Sequence, residues 1–236
     1  MVPRERLLLM AAEPREFSGL LKSCRKIERL DWPVHWARKA ELNGREVILV
    51  ANGAGAARAA RGVAVARSLA NVESVCSMGF CGALESGMKI GDVFVAESVH
   101  TCAGREYRAA KPLSARSHRS GALASIDRVA QRAHEKQDLR AGGASAVEME
   151  AGGVAEKAWE LHLPFYCVRA VTDLAEENFG FDFNSALRSD GRFDTMRLIA
   201  AVCRRPRTLL PELLRLRTRC RMASETLGEF IASCRF

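Results

Sequence analysis

The amino-acid sequence predicts one α/β domain: a central mixed, mostly parallel sheet flanked by helices, followed by a basic C-terminal helical extension. Three observations lead there. Apolar runs of strand length alternate with Ala-rich or amphipathic stretches of helical length. Two of those runs, Leu7–Ala12 and Pro164–Val171, are almost continuously apolar, as strands covered on both faces are. Neither an internal repeat nor a convincing linker interrupts the alternation before residue 200. Length and composition agree: 236 residues, 48% hydrophobic and 27% charged, are ordinary for a globular chain with a substantial core.

In chain order, Leu7–Ala12 reads as a buried first strand, and Glu13-Pro14 opens a helix because Pro is tolerated in a first turn. Asn43-Gly44, between two strand-like runs, is a hairpin signal. Glu46–Ala51 then leads through Asn52-Gly53-Ala54-Gly55 into a helix ending near Ala70. Ser74–Met78 is predicted as a buried strand that stops at Gly79-Phe80-Cys81-Gly82, and Gly91–Val99 alternates like a half-exposed strand. Lys111–Gly121 reads as loop, Ala122–Ile126 as strand, Asp127–Leu139 and Glu150–Leu161 as helices, and Pro164–Val171 as a strand ending at Thr172-Asp173. The boundary of the main domain falls at residue 203, with 204–236 as the extension.

Charge and cysteine usage exclude several classes. Of the net charge of +8, the segment from Ala201 to Phe236 holds +5, from eight Arg and three Glu, which leaves +3 for the first 200 residues. A nucleic-acid binder spreads basic residues over a face with interleaved aromatics, so no nucleic-acid partner is expected. The eight Cys form no C-x-x-C pair and have no His at zinc spacing, so they are expected to be reduced and structural, without a metal. No apolar run reaches the roughly 18–20 residues that span a bilayer, and Leu7–Ala12 is too short for a signal-peptide core. A cytoplasmic location is expected.

Ligands of open α/β sheets bind beyond the carboxyl ends of the strands, and three polar clusters fall there: Glu13-Pro14-Arg15-Glu16-Phe17, Val147-Glu148-Met149-Glu150-Ala151, and Thr172-Asp173. A carboxylate leaving a dry strand end is partly desolvated, which raises its pKa and fits it for acid–base work. Two or three such groups on one pocket suit cleavage of a glycosidic bond through an oxocarbenium-like transition state, one protonating the leaving group and another activating water. Glu13 and Glu16 read equally well as solvated first-turn residues favoured by the helix dipole, and Asp173 as a cap.

Two segments, Ala146-Val147-Glu148-Met149-Glu150-Ala151 and Pro164-Phe165-Tyr166-Cys167-Val168-Arg169-Ala170-Val171-Thr172-Asp173, resemble the signature half of the purine nucleoside phosphorylase superfamily. The branch most similar contains 5′-methylthioadenosine/S-adenosylhomocysteine nucleosidase. The resemblance covers roughly residues 7–200 and implies a nucleoside phosphorylase-like fold, cleavage of a purine (adenine) nucleoside with a modified 5′ group, no cofactor, and a homo-oligomer. It implies that Glu150 accepts from the ribose hydroxyls and that Met149 packs on the sugar, with Glu148 also among the substrate-binding residues. Asp173 would act as, or help deliver, the acid at purine N7, with Thr172 beside it. Glu16 best matches the water-activating Glu, with Glu13 as its rival.

The departures bear on the reaction. Where similar phosphorylases carry an Arg and a Ser that grip phosphate, this chain has Ser77 and Phe80, and Phe supplies no charge-assisted donor. Water is therefore the expected acceptor. Phosphate would be a co-substrate only if Arg58, Arg105 or Arg108 compensated. Phe80, Cys81 and Gly82 are expected to border the substrate, with Phe80 altering the water site. Ala122–Ser145 lacks the aromatic that stacks on the base in the nucleosidases.

In the extension, Leu210, Leu213, Leu214 and Arg217 form a helical stripe flanked by Arg, which reads either as a helix docked on the domain or as a contact with an anionic membrane surface. That combination resembles the hopanoid-associated members of the superfamily, implying an adenosyl-lipid substrate as an alternative. Two other classes compete. A nicotinamide oxidoreductase is motivated by Gly53-x-Gly55, but Arg58 replaces the third fingerprint Gly. A non-catalytic nucleoside-binding protein is motivated by Phe80 and the absent stacking aromatic.

Overall fold

A computed structural model describes residues 6–236. In order, the elements are β1 (Arg6–Ala11), a 3-10 turn (Pro14–Phe17), α1 (Ser18–Leu21), β2 (Cys24–Arg29), β3 (Trp36–Leu42), β4 (Arg45–Ala51), α2 (Ala56–Leu69) and β5 (Val72–Ala83). There follow β6 (Val93–Thr101), β7 (Glu106–Arg108), β8 (Arg119–Ser125), α3 (Ala133–Ala141), β9 (Ala146–Glu148), α4 (Ala151–Glu160) and β10 (Phe165–Asp173). Three helices finish the chain: α5 (Phe183–Ala186), α6 (Thr195–Arg204) and α7 (Pro206–Ser233).

The strands form one mixed sheet in the order β10-β6-β8-β9-β5-β1-β4-β3-β2, with β7 on β6. Its centre is parallel, β4–β1–β5–β10, as strands linked by crossover helices must be. Because β10 pairs with both β5 and β6, the strands β5, β10, β6, β8 and β9 close into a ring. The Asn43-Gly44 hairpin joins β3 to β4 with both turn residues at positive φ, +51° and +76°.

The apolar runs follow from burial on two faces. Leu8 and Met10 of β1 enter one core with Ile48, Val50, Ala59, Val63, Val154 and Ala158, beneath α2 and α4. Leu7, Leu9 and Ala11 enter the other with Val47, Leu49, Leu20, Leu227 and Phe230, beneath α1 and α7. Successive residues of a strand point to opposite faces, so a strand buried on both must be apolar throughout. The second half of α7 is thus part of the core. At its crossing with α1, a Cβ on Gly19 would lie 2.0 Å from the Ser224 carbonyl oxygen, and one on Gly228 would lie 2.2 Å from the Leu20 nitrogen.

Several expectations are corrected. The strand predicted to stop at Met78 continues through Gly79-Phe80-Cys81-Gly82 to Ala83, because β10 pairs alongside it as far as Gly82. The loop read over Lys111–Gly121 gives way to β8 at Arg119, in parallel register with β6. The helix expected from Asp127 starts at Ala133. Glu135 Oε2 accepts the Gln131 and Arg132 amides at 2.8 and 2.9 Å, which fixes the start there. The leucine stripe also divides: Leu213 and Arg217 line a cavity whereas Leu210 and Leu214 face outward, 46% and 53% exposed. Among the described residues no helix is long and apolar enough to cross a membrane.

Candidate active site

The carboxyl ends of β1, β5, β9 and β10 open into one cavity of about 670 Å³, within the span of roughly 300–1,000 Å³ usual for small-molecule sites. Glu13, Glu16, Phe80, Cys81, Gly82, Glu148, Met149, Glu150, Thr172 and Asp173 all line it. The sequence thus placed every candidate residue at the same site. Burial and partners then separate their chemistry.

Glu16 ends the 3-10 turn with its side chain directed back into the sheet. Its Oε2 accepts the Ala12 and Glu13 amides at 2.8 and 2.9 Å, and its Oε1 accepts the Phe80 amide at 3.3 Å. Burial raises the pKa of this carboxyl, and the backbone hydrogen bonds offset only part of that rise. Glu13 differs: it is partly exposed and pairs with Arg15 at 2.7 Å. Of the two rivals, only Glu16 is held rigidly against the cavity floor.

The second cluster caps α4. Glu148 is buried, with its carboxylate on the Glu150 and Ala151 amides at 2.9–3.0 Å and on Arg169 Nη2 at 2.6 Å. Both oxygens are therefore used within the protein. Glu150 faces the cavity, and its Oε1 accepts only the Gly55 amide, at 3.0 Å. Burial and the nearby carboxylates of Glu148 and Glu16 raise its pKa, against the opposing pull of Arg169. Arg169 is 1% exposed and is the cation beneath all three glutamates. It also donates to Ser77 Oγ at 2.7 Å, which places Ser77 in the core and out of the cavity lining. Sequence reading took Arg169 as a break in an apolar strand; a lone Arg in such a run is itself a signal that buried acids await it.

Asp173 closes β10. Its Oδ1 accepts the Thr172 hydroxyl at 3.1 Å and its Oδ2 accepts the ammonium of Lys136. Lys136 is 1% exposed and is the single buried residue of α3. Sequence reading missed it, because nothing local distinguishes it from the solvated charges around it.

Two glycines of β5 make room for the acids. A Cβ on Gly79 would lie 2.9 Å from Glu16 Oε1, and one on Gly82 would lie 2.7 Å from Asp173 Oδ2. Three strand residues, roughly 10 Å of chain, separate the two approaches. Cys81 lies between them, a buried thiol whose pKa burial raises.

The outer part of the cavity is lined by Phe179, Phe183, Phe193, Leu198, Leu213 and Leu216, with Trp36 and His35, and the arginines Arg15, Arg128, Arg192 and Arg217 also border it. Phe183 packs edge-on to Phe179, Phe181 and Phe193 at 5.0–6.0 Å. The aromatic wall absent from Ala122–Ser145 therefore comes from the segment after β10. Arg58, Arg105 and Arg108 do not line the cavity: Arg58 donates to the Ser189 carbonyl, and Arg105 pairs with Glu156 at 2.6 Å. Among the described residues no group of three or more His, Cys, Asp or Glu side chains is placed to hold a metal ion.

Comparison with known proteins bears on the fold and the family. The chain is 26% identical over 174 residues to the 5′-methylthioadenosine/S-adenosylhomocysteine nucleosidase of Staphylococcus aureus (strain JH9), covering 62% of this chain and 76% of that protein. Its fold matches the crystal structure of the Neisseria meningitidis enzyme of the same name in complex with methylthio-immucillin-A, with a TM-score of 0.73, 18% identity and 97% of each chain covered. It also matches futalosine hydrolase of Helicobacter pylori strain 26695, with a TM-score of 0.72, 16% identity, and 98% of this chain and 97% of that one covered. The profile of the Phosphorylase superfamily matches residues 33–111 and 100–202, which takes in β3 to α6 and most of the cavity floor, and the chain belongs to that superfamily.

Proposed function

We propose that the protein hydrolyses the N-glycosidic bond of an adenine nucleoside carrying a modified 5′ group. One observation carries the choice of water over phosphate. The Ala12, Glu13 and Phe80 amides converge at the cavity floor, a cluster suited to an anion, and the Glu16 carboxylate already occupies it. A phosphate dianion approaching there would meet a fixed negative charge and the ring of Phe80. A water molecule would meet a base.

In this reading Glu16 takes a proton from the attacking water, and Glu150 holds the ribose hydroxyls with Met149 against the sugar. Asp173, steadied by Thr172, delivers a proton to purine N7 so that the base leaves neutral. Glu148 and Arg169 act from below, fixing the start of α4 and hence the place of Glu150. The test is chromatography of free base released from adenosine, inosine, 5′-methylthioadenosine and S-adenosylhomocysteine, each with and without phosphate. Adenine release without phosphate is expected. Release only with phosphate overturns hydrolysis.

The 5′ group is read from the outer wall, whose phenylalanines and leucines favour an apolar substituent. An adenosyl lipid is the second reading. It is favoured by Met196, Ile199, Leu210 and Leu214, 46–72% exposed on α6 and α7 beside Arg204, Arg207, Arg215 and Arg221. Binding to anionic liposomes that is lost in Leu210→Glu/Leu214→Glu supports peripheral membrane contact; equal, negligible binding of both proteins rejects it. Removing residues 204–236 is no test, because Ala223, Leu227, Phe230 and Ile231 belong to the core. Action in the cytoplasm and assembly as a homo-oligomer belong to the same proposal, the latter checked by light scattering.

A further inference from the structure

We infer that Lys136 is a positioning residue for this reaction and the source of the proton that Asp173 passes to the leaving base; the inference rests on the hydrolase reading above. The Lys136 ammonium reaches Asp173 Oδ2 and, at 2.6 Å, the Leu174 carbonyl, and it lies 5.7 Å from the centre of the Phe179 ring. It does not itself line the cavity, whereas Asp173 does. A lysine is rarely buried without reason, since its desolvation must be offset by a partner. Here that partner is the one carboxylate placed to serve as acid.

The pair holds one proton whichever member carries it. The hydrogen bond sets a proton donor directly on the carboxylate that faces the cavity. Paired with an ammonium, it is resupplied at the site. Purine N7 takes a proton from Asp173 and Asp173 takes one from Lys136 Nζ, while the C1′–N9 bond breaks with its electron pair passing to the purine. The water oxygen bonds to C1′ and its proton goes to Glu16. After the products leave, that proton returns through solvent to the Lys136 amine.

The neighbouring charges have partners of their own and also act on the pair, Glu177 on Lys136 and Arg219 on Asp173. On the segment after β10, Glu177 is bound by Arg219 of α7 through both oxygens, at 2.7 and 2.8 Å. On α3, Glu135 pairs with Arg128 and caps the helix. Cys81 of β5 and Cys220 of α7 are further titratable neighbours of Asp173, and burial raises both thiols.

The test compares wild type with Lys136→Met over pH 6 to 9, using the adenine nucleoside found active in the base-release assay. A second substrate, 4-nitrophenyl riboside, has a leaving group that departs without protonation. We expect the variant-to-wild-type ratio of kcat/KM on the adenine nucleoside to fall at least tenfold between pH 6 and pH 9, less than the about 10²–10⁴ that a general acid contributes outright. Cleavage of 4-nitrophenyl riboside should show no such divergence. A variant-to-wild-type ratio that is constant with pH, or an equal divergence on both substrates, overturns the inference. Lys136→Gln gives the same readouts if the Met variant does not fold. Absence of base release from wild type would overturn the hydrolase reading instead, so the two failures are distinct.

Discussion

The floor and the outer wall of the cavity are built on opposite plans. The floor is made of strand ends, where Glu16, Glu148 and Asp173 are each 6–8% exposed and each held by two or more hydrogen bonds. The wall is made of the short helix α5 and the pair α6 and α7, with side chains that pack by shape and leave Met196 and Ile199 72% and 51% exposed. Catalysis needs groups whose position survives the reaction, and strand ends locked by backbone amides provide it. Selection of a substituent needs only volume and apolarity, which a helical wall can change without touching the chemistry.

That contrast can be broken most sharply at the floor. Glu16→Gln and Asp173→Asn should each lower base release by about 10²–10⁴-fold, the range for loss of a general base or acid, while nucleoside binding measured by calorimetry persists. Near wild-type turnover in either variant would remove that residue from its assigned role. Gly82→Ala comes next. Its methyl would displace Asp173, and a shift of about 1 Å at an acid costs up to about 100-fold; the loss should appear in kcat with the melting temperature little changed.

Acidification gives a smaller and graded effect. Burial raises the Glu16 pKa above its ordinary 4.5, so the folded enzyme binds that proton more tightly than the unfolded chain does. As pH falls through the raised value the base is lost, and kcat/KM should drop about tenfold per pH unit, beginning above the pH at which an exposed glutamate would protonate. The same shift acts on stability with the opposite sign. Its stabilising share is complete below the unfolded pKa and disappears as pH rises through the folded one, so activity and stability should move apart on mild acidification. Least affected should be the wall: Leu213→Ala is expected to raise KM about fivefold to tenfold for substrates with a bulky apolar 5′ group and to leave adenosine alone, the scale of one or two methylenes in an apolar pocket.

The floor was legible in the sequence because its residues come as contiguous pieces at predictable strand ends. Glu148-Met149-Glu150 and Thr172-Asp173 need no long-range information to be found. The glycines of β5 were legible as a feature and misread as a strand terminus. Their smallness serves the approach of Glu16 and Asp173, and nothing in the local pattern distinguishes room for a carboxylate from a turn. Lys136 and the Phe179–Phe193 wall were not legible, because each matters only through a partner supplied by a distant element. Lys136 lies on a helix with no apolar face to orient it, and its counter-ion is 37 residues away.

The contact between α7 and the first turn has a consequence for when the enzyme comes to life. Ser224 accepts the Gly19 amide at 3.0 Å and approaches the Arg15 and Glu16 carbonyl oxygens at 3.1 and 3.3 Å, so a late helix clamps the early turn that carries Glu16. A ribosome makes the turn 205 residues before the residue that clamps it. While the chain is being synthesised, its sheet can assemble around β1 and β5 and hold Glu16 through the Phe80 amide, yet the α7 side of the turn stays open until that helix emerges. Chains that end before α7 should therefore carry Glu16 without the clamp on its turn.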